Sequence, residues 1–251
     1  MPRYKLTLQY LGQAFKGSQK QKDARTVQDE LEKAISTLTQ QKISTIFSGR
    51  TDAGVNALGQ VVHFDYEGEI KLYNLNCILP KEIKVTKLTK TNKKFHAQMS
   101  AKSRHYQYKI RNSEVENVFD TDTLYYRHKL DLKRINESLS YIVGEHDFSA
   151  FKSSSDNPAK ICKIYKAKAT KSKDVIKIDI IGNRFLYNMV RTIIGTLLMI
   201  EKDNLPPAKM KEILKSKERE MAGPVISPIG LTLMKVEYTN KYEKGKINEN
   251  I

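Results

Sequence analysis

Cysteine is nearly missing from this sequence. Of 251 residues only Cys77 and Cys162 are cysteines, far apart and without C-x-x-C spacing or a neighbouring histidine. That excludes a disulfide-built scaffold and makes a zinc site unexpected. Long apolar runs are missing too. The longest strongly apolar stretch, Ile193 to Ile200, falls far short of the roughly 20 residues that cross a bilayer. The amino-terminal MPRYKLTLQY alternates polar and apolar positions and does not form the apolar segment of a secretory leader. A cytoplasmic location with no membrane attachment is therefore expected. Negative charge is also scarce: 44 Lys and Arg face 28 Asp and Glu, a formal net charge of +16. Such a surplus repels itself unless a polyanion shares it, and nucleic acid is the commonest polyanion inside cells. A lysine-rich solvated surface accounts for the same numbers, so charge names a partner class and no more.

The chain is long enough to bury a proper core, as one large domain or two lobes. Tyr4, Leu6, Leu8 and Tyr10 alternate with polar residues, the period of a half-buried strand. Thr26 is placed to cap a helix whose Val27, Leu31, Ala34 and Ile35 share a face. A short strand at Ile43–Phe47 and another at Gln60–Tyr66 flank Ser48-Gly49-Arg50-Thr51-Asp52-Ala53-Gly54, which must be a loop. The second half repeats the plan: strands at Tyr106–Ile110 and Ile176–Ile181, a helix from about Phe185 to Ile200, a helix started by Pro206-Pro207, and a strand at Leu231–Tyr238. His146, in Gly144-Glu145-His146-Asp147-Phe148, is expected in a helix-terminating turn. Alternating strands mixed with helices predict an α+β fold, a mostly antiparallel sheet with helices packed on one face. Two similar α/β lobes are expected at 1–104 and 105–240, and a disordered tail at 241–251.

The sharpest candidate for chemistry is Asp52, a carboxylate on a loop bounded by Gly49 and Gly54. Asp also caps turns through its own side chain, and that ordinary role fits the same residues. Arg50 has two partners open to it, Asp52 or a phosphate. Glycosidic hydrolysis usually asks for two carboxylates, and no second one stands near this loop. A lone ionised Asp can still attack a sugar C1′; if no water is activated, the departing base can recombine, which is an isomerisation. Lys102 to Tyr108 is a basic segment leading into an aromatic strand, suited to holding phosphate and stacking a base, or to packing two tyrosines in a core. The five histidines show no metal-ligand spacing, so no metal is assigned. Arg191, among Val190, Ile193 and Ile194, calls for a buried anionic partner.

Several motifs recur in order: Gly17-Ser18-Gln19-Lys20-Gln21, Arg25-Thr26-Val27-Gln28, Gly49-Arg50-Thr51-Asp52-Ala53-Gly54-Val55 and Gly59-Gln60-Val61-Val62-His63-Phe64. They continue through Leu79-Pro80, Phe95-His96-Ala97, Arg104-His105-Tyr106-Gln107-Tyr108 and Gly144-Glu145-His146-Asp147-Phe148. Phe185-Leu186-Tyr187-Asn188-Met189-Val190-Arg191 with Gly195, and Pro228-Ile229-Gly230-Leu231, complete the series. On these the sequence resembles the tRNA pseudouridine synthase A family over nearly its whole length. The resemblance implies that Asp52 is the catalytic aspartate, that Tyr106 stacks on the target uracil, that Arg191 pairs with the aspartate, and that Arg50 and Leu231 belong to the substrate site. It further implies a continuous sheet joining the lobes, a basic cleft between them for the anticodon arm of tRNA, and a homodimer. No metal or organic cofactor is implied, and the expected products are pseudouridines at tRNA positions 38, 39 and 40. Whether the aspartate forms a covalent adduct or first takes a sugar proton stays open.

Three positions depart from the family pattern: Ser18 where Trp is usual, Asn56 where His is usual, and Gln98 where Arg is usual. The first removes a packing aromatic, and the others reduce polar or cationic reach near the RNA path. A tRNA-binding protein or RNA chaperone without chemistry is the rival reading, and Asp52 discriminates, since a pure binder has no use for a carboxylate in a phosphate-attracting cleft. A metal-dependent nuclease using Asp52, His63 and Asp65 lacks a further carboxylate at suitable spacing.

Overall fold

The computed structural model describes residues 1–154 and 158–239. The chain divides into two compact units, Met1–Lys102 together with the stretch from Leu233, and Ser103–Thr232.

The first unit is a sheet in the order β4 (Ile83–Thr91), β1 (Arg3–Tyr10), β3 (Asn56–Asp65), β10 (Leu231–Tyr238), with β2 (Ile46–Phe47) beside β3. β1 pairs antiparallel with both β3 and β4. Its alternation has the expected outcome: Tyr4, Leu6, Leu8 and Tyr10 are all buried. Helix α1 (Val27–Thr39) starts where its cap predicts. The Asp29 amide donates to Thr26 Oγ1 at 3.2 Å, and Val27, Leu31, Ala34 and Ile35 are buried. A shorter helix, α2 (Leu72–Ile78), precedes β4.

The second unit orders its strands β5 (Ala101–Arg111), β9 (Val175–Gly182), β8 (Ile161–Ser172), β7 (Gly144–Asp147), all antiparallel. The two-residue β6 (Leu124–Tyr125) pairs parallel to β5, so the sheet is mixed. Helices α3 (Leu132–Ser140), α4 (Met189–Lys202) and α5 (Lys209–Ser216) contact one another. The Asn136 side chain of α3 bonds both the amide and the carbonyl of Ala169 in β8, at 2.9 and 3.1 Å, which fixes helix to strand. Strands and helices in this mixture make the fold α+β.

Four details differ from the sequence reading. The strand expected at Ile43–Phe47 is only two residues long. Residues 144–147 are strand β7, not a helix end, because β8 offers them a partner edge: His146 stands opposite Cys162. The helix expected from Phe185 begins at Met189, since Asn188 takes left-handed backbone angles (φ 59°) and stops the helix from extending back. Most of the last strand, expected in a 105–240 lobe, falls within the first unit, because β10 lies beside β3. A Cβ on Gly59 in β3 would collide with the Met234 carbonyl, so that close approach requires glycine. The tail expected at 241–251 lies outside the described residues. Among the described residues no helix is long and apolar enough to cross a membrane.

Candidate active site

In the first unit, Asp52 begins a tight turn. The Val55 amide donates to the Asp52 carbonyl at 3.2 Å and Gly54 has φ +80°, the arrangement of a type II turn, which requires glycine there. Both flanks of the turn are tied to buried polar groups. Upstream, the Gln60 side chain, fully buried, accepts from Ser48 Oγ at 2.6 Å and donates to the Gly49 carbonyl at 3.0 Å and to Tyr10 Oη at 3.4 Å. Tyr10 Oη meets Thr51 Oγ1 at 2.8 Å. Gln60 donates into the phenol oxygen, and in the contact with Thr51 either the phenol hydrogen or the Thr51 hydroxyl can be the one donated. Burial pushes the Tyr10 phenol up to about 12, against the opposite pull of Thr51 and Gln60, so it stays neutral and keeps that hydrogen. Downstream, Asn56 Oδ1 accepts the Gly12 amide at 2.8 Å, and a Cβ on Gly12 would collide with the Val55 carbonyl. Asp52 itself is half-buried on this clamped turn, and Arg50 is exposed and pairs with no carboxylate among the described residues.

In the second unit, Tyr106 lies on β5 opposite Ile180, half-buried, its ring 5.1 Å from Phe185 at 85°, edge to face. Two residues on, with the same facing, Tyr108 is fully buried and donates to the Ser227 carbonyl at 2.7 Å. Desolvation raises its pKa, and the positive charge of Arg191 opposes the rise. Arg191 Nε donates to the Ile226 carbonyl at 2.7 Å and Nη1 to Asn188 Oδ1 at 2.9 Å. Adjacent carbonyls, Ile226 and Ser227, thus tie α4 to the aromatic strand. Segment 222–226 reaches α4 because Gly195 and Gly223 carry no side chain. A Cβ on Gly195 would collide with the Pro224 carbonyl, while the Gly223 amide donates to Thr196 Oγ1 at 2.9 Å.

Asp52 and Arg50 belong to the first unit, Tyr106, Arg191 and Leu231 to the second. Arg191 is half-buried and not fully embedded, and two of its bonds go to the Ile226 carbonyl and to Asn188 Oδ1. Leu231 is 4% exposed. The supports missed from sequence are Tyr10, Gln60, Asn188 and Ile226, while Ser18 reads from sequence only as a departure from the family pattern; of the four, only Asn188, a residue tolerant of left-handed backbone before an apolar helix, left a local signal. No group of three or more His, Cys, Asp or Glu among the described residues is arranged to hold a metal ion. A surface cavity of about 200 Å³ lined by Leu38, Glu69, Ile70, Lys71 and Asn74 contains none of the candidate residues.

A protein-family model described as tRNA pseudouridine synthase matches residues 7–111 and 139–239, which include the Asp52 turn, Tyr106 and Arg191. The chain belongs to the tRNA pseudouridine synthase family. As a tRNA pseudouridine synthase it is an isomerase of tRNA modification. It is 39% identical to a tRNA pseudouridine synthase A of Oceanobacillus iheyensis over 95% of this chain and 97% of that one. It is 41% identical to one of Ehrlichia chaffeensis over 94% of this chain and all of that one. Among solved structures, a chain of a Cbf5–Nop10–Gar1 complex aligns over 77% of this synthase and 53% of its own length, at 8% identity and a TM-score of 0.39, a likeness too distant to bear on the fold.

Proposed function

We propose that this chain isomerises uridine to pseudouridine in the anticodon stem-loop of tRNA, at positions 38, 39 and 40, with Asp52 as nucleophile. The carboxylate attacks C1′ of a uridine turned out of its stack, and the C1′–N1 bond breaks. The uracil then rotates, and C5 bonds to C1′ as the aspartate leaves. The C5 proton is given up and N1 takes one, so no atom is gained or lost and no cofactor is called for. Tyr106 stacks on the uracil, Arg191 pairs with the Asp52 carboxylate, Arg50 holds the everted nucleotide's phosphate, and Leu231 backs the site from the core. Turning the base out costs a few kcal/mol, which phosphate contacts offset. In this reading the two units are lobes of one continuous sheet with a basic cleft between them, and the enzyme works as a cytoplasmic homodimer.

The observation that carries the reading is the turn at Asp52, held by a buried network from both flanks. Fixing a carboxylate before the substrate arrives is what nucleophilic attack at a defined carbon demands. Arg191 adds support, since the Ile226 carbonyl accepts from its Nε and Asn188 Oδ1 from its Nη1, which orients the guanidinium.

Unmodified tRNA carrying tritium at uridine C5 tests it. The purified protein is expected to release tritium, and Asp52→Asn to abolish release while tRNA affinity stays within about twofold, since the change is isosteric. Release by the Asn variant would overturn the role of Asp52. Binding without release by the unaltered chain would favour a tRNA-binding protein with no chemistry.

A further inference from the structure

The strap at residues 16–18 touches two elements at once. On one side it receives the start of α1: the Val27 amide donates to the Gly17 carbonyl at 3.3 Å and the Gln28 amide to the Ser18 carbonyl at 3.0 Å, so helix amides that have no partner within the helix are satisfied by the strap. On the other side it runs along the approach to Asp52. The Ser18 amide donates to the Thr51 carbonyl at 3.0 Å, and the Thr51 amide donates to Ser18 Oγ at 2.8 Å. The Thr51 carbonyl belongs to the peptide that joins Thr51 to Asp52 and the Thr51 amide to the peptide that joins Arg50 to Thr51, so this pair of bonds fixes the two successive peptides that lead into Asp52. Gly17 makes the approach possible, with φ +96° and space so tight that a Cβ would stand 3.1 Å from the Thr51 carbonyl.

Ser18 is 1% exposed. Without its hydroxyl the Thr51 amide would lose its acceptor where water cannot replace it. The indole usual at this place in the family has a donor and no acceptor, so the bond to the Thr51 amide is particular to serine. We propose that Ser18 is a positioning residue for the isomerisation, locking the peptides on both sides of Thr51 against the strap that receives α1 and so aiming the carboxylate of Asp52. The inference rests on the reading of Asp52 as the reacting group.

Ser18→Ala removes the acceptor of the Thr51 amide together with the long bond, 3.5 Å, that Ser18 Oγ donates to the Thr51 carbonyl. On unmodified tRNA its kcat is expected to fall about tenfold, the scale of a sub-ångström misplacement of a reacting group, with KM and tRNA affinity within about twofold of the unaltered enzyme. Ser18→Thr, which restores a hydroxyl, recovers most of the rate, and Ser18→Cys, a weak acceptor of similar size, falls between and serves as the test if the alanine variant does not fold. Deuterium exchange at the Thr51 amide rises in step with the loss of rate. An unchanged kcat, a rise in KM alone, or a loss no larger than the drop in folded fraction seen by thermal melting would each overturn the proposal. Asp52→Asn assayed alongside separates the two claims. Activity in that variant removes the role of Asp52, whereas an inactive Asp52→Asn beside a fully active Ser18→Ala removes only the clamp.

Discussion

His63 is 2% exposed, with the rings of His96 and Phe95 at 5.0 and 6.0 Å, and its Nδ1 accepts the Ala97 amide at 3.1 Å. Burial, with the charges of Arg3 and His96 acting in the same direction, lowers its pKa from 6.5 to about 4. The unfolded chain therefore takes up a proton near pH 6.5 that the folded chain refuses until about pH 4. His63's contribution to stability is whole above pH 6.5 and is lost as pH falls from there to 4. Thermal melts between pH 7 and 4 are expected to show this decline, and His63→Asn, whose side-chain oxygen can accept the Ala97 amide but does not titrate, should flatten it. An identical slope in the variant would place the pH dependence elsewhere. At this scale the sequence displayed Asp52 plainly, because glycines at 49 and 54 mark a loop by local chemistry. It did not display Ser18, Tyr10 or Gln60 as supports, since their partners lie 11 to 50 residues away. The departure at Ser18 reads from sequence as a lost aromatic; in the folded chain it is a gained acceptor for the Thr51 amide.

Helix α4 shows how an element carries a functional side chain. Its apolar stripe is legible from spacing, and Met189, Val190, Ile193, Ile194 and Leu197 are buried. What places Arg191 is the close approach of segment 222–226 at Gly195, where the Ile226 carbonyl meets Nε. Gly195→Ala is expected to force that segment away, costing about 1–3 kcal/mol in urea denaturation, as overpacking does. It should also lower kcat by loosening Arg191. Loss of stability at full kcat in the folded variant would show that the guanidinium needs no such support. Strands β4 and β8 escaped the sequence reading for a common reason. Their outward positions are lysine-rich, and such alternation reads as a solvated segment until a neighbouring strand pairs with it.

For the molecule as a whole, the surplus of +16 is unevenly placed. On the β8–β9 hairpin, Lys163, Lys166, Lys168, Lys171, Lys173 and Lys177 are all exposed and have no ion-pair partner among the described residues. Like charges so close repel one another, and a phosphate backbone relieves that repulsion. Changing Lys166, Lys168, Lys171 and Lys177 to Gln is expected to weaken tRNA binding and to flatten its log–log dependence on salt by about 0.7 to 0.9 for each lysine that meets a phosphate. An unchanged slope would leave this face merely solvated. By itself the sequence determined the α+β character, the start of α1, the buried face of β1, the limits of β10, the family, and the identity of the candidate aspartate. All of these depend on residue types within a few positions of one another, through periodicity, caps and turns, or on the order of short motifs. Only the tertiary structure decided that the last strand joins the first unit, that Arg191 is held by a carbonyl and an amide, and that serine at position 18 grips the peptide before Asp52. Those outcomes depend on strand pairing and on buried donors finding acceptors dozens of residues away, which no local pattern encodes.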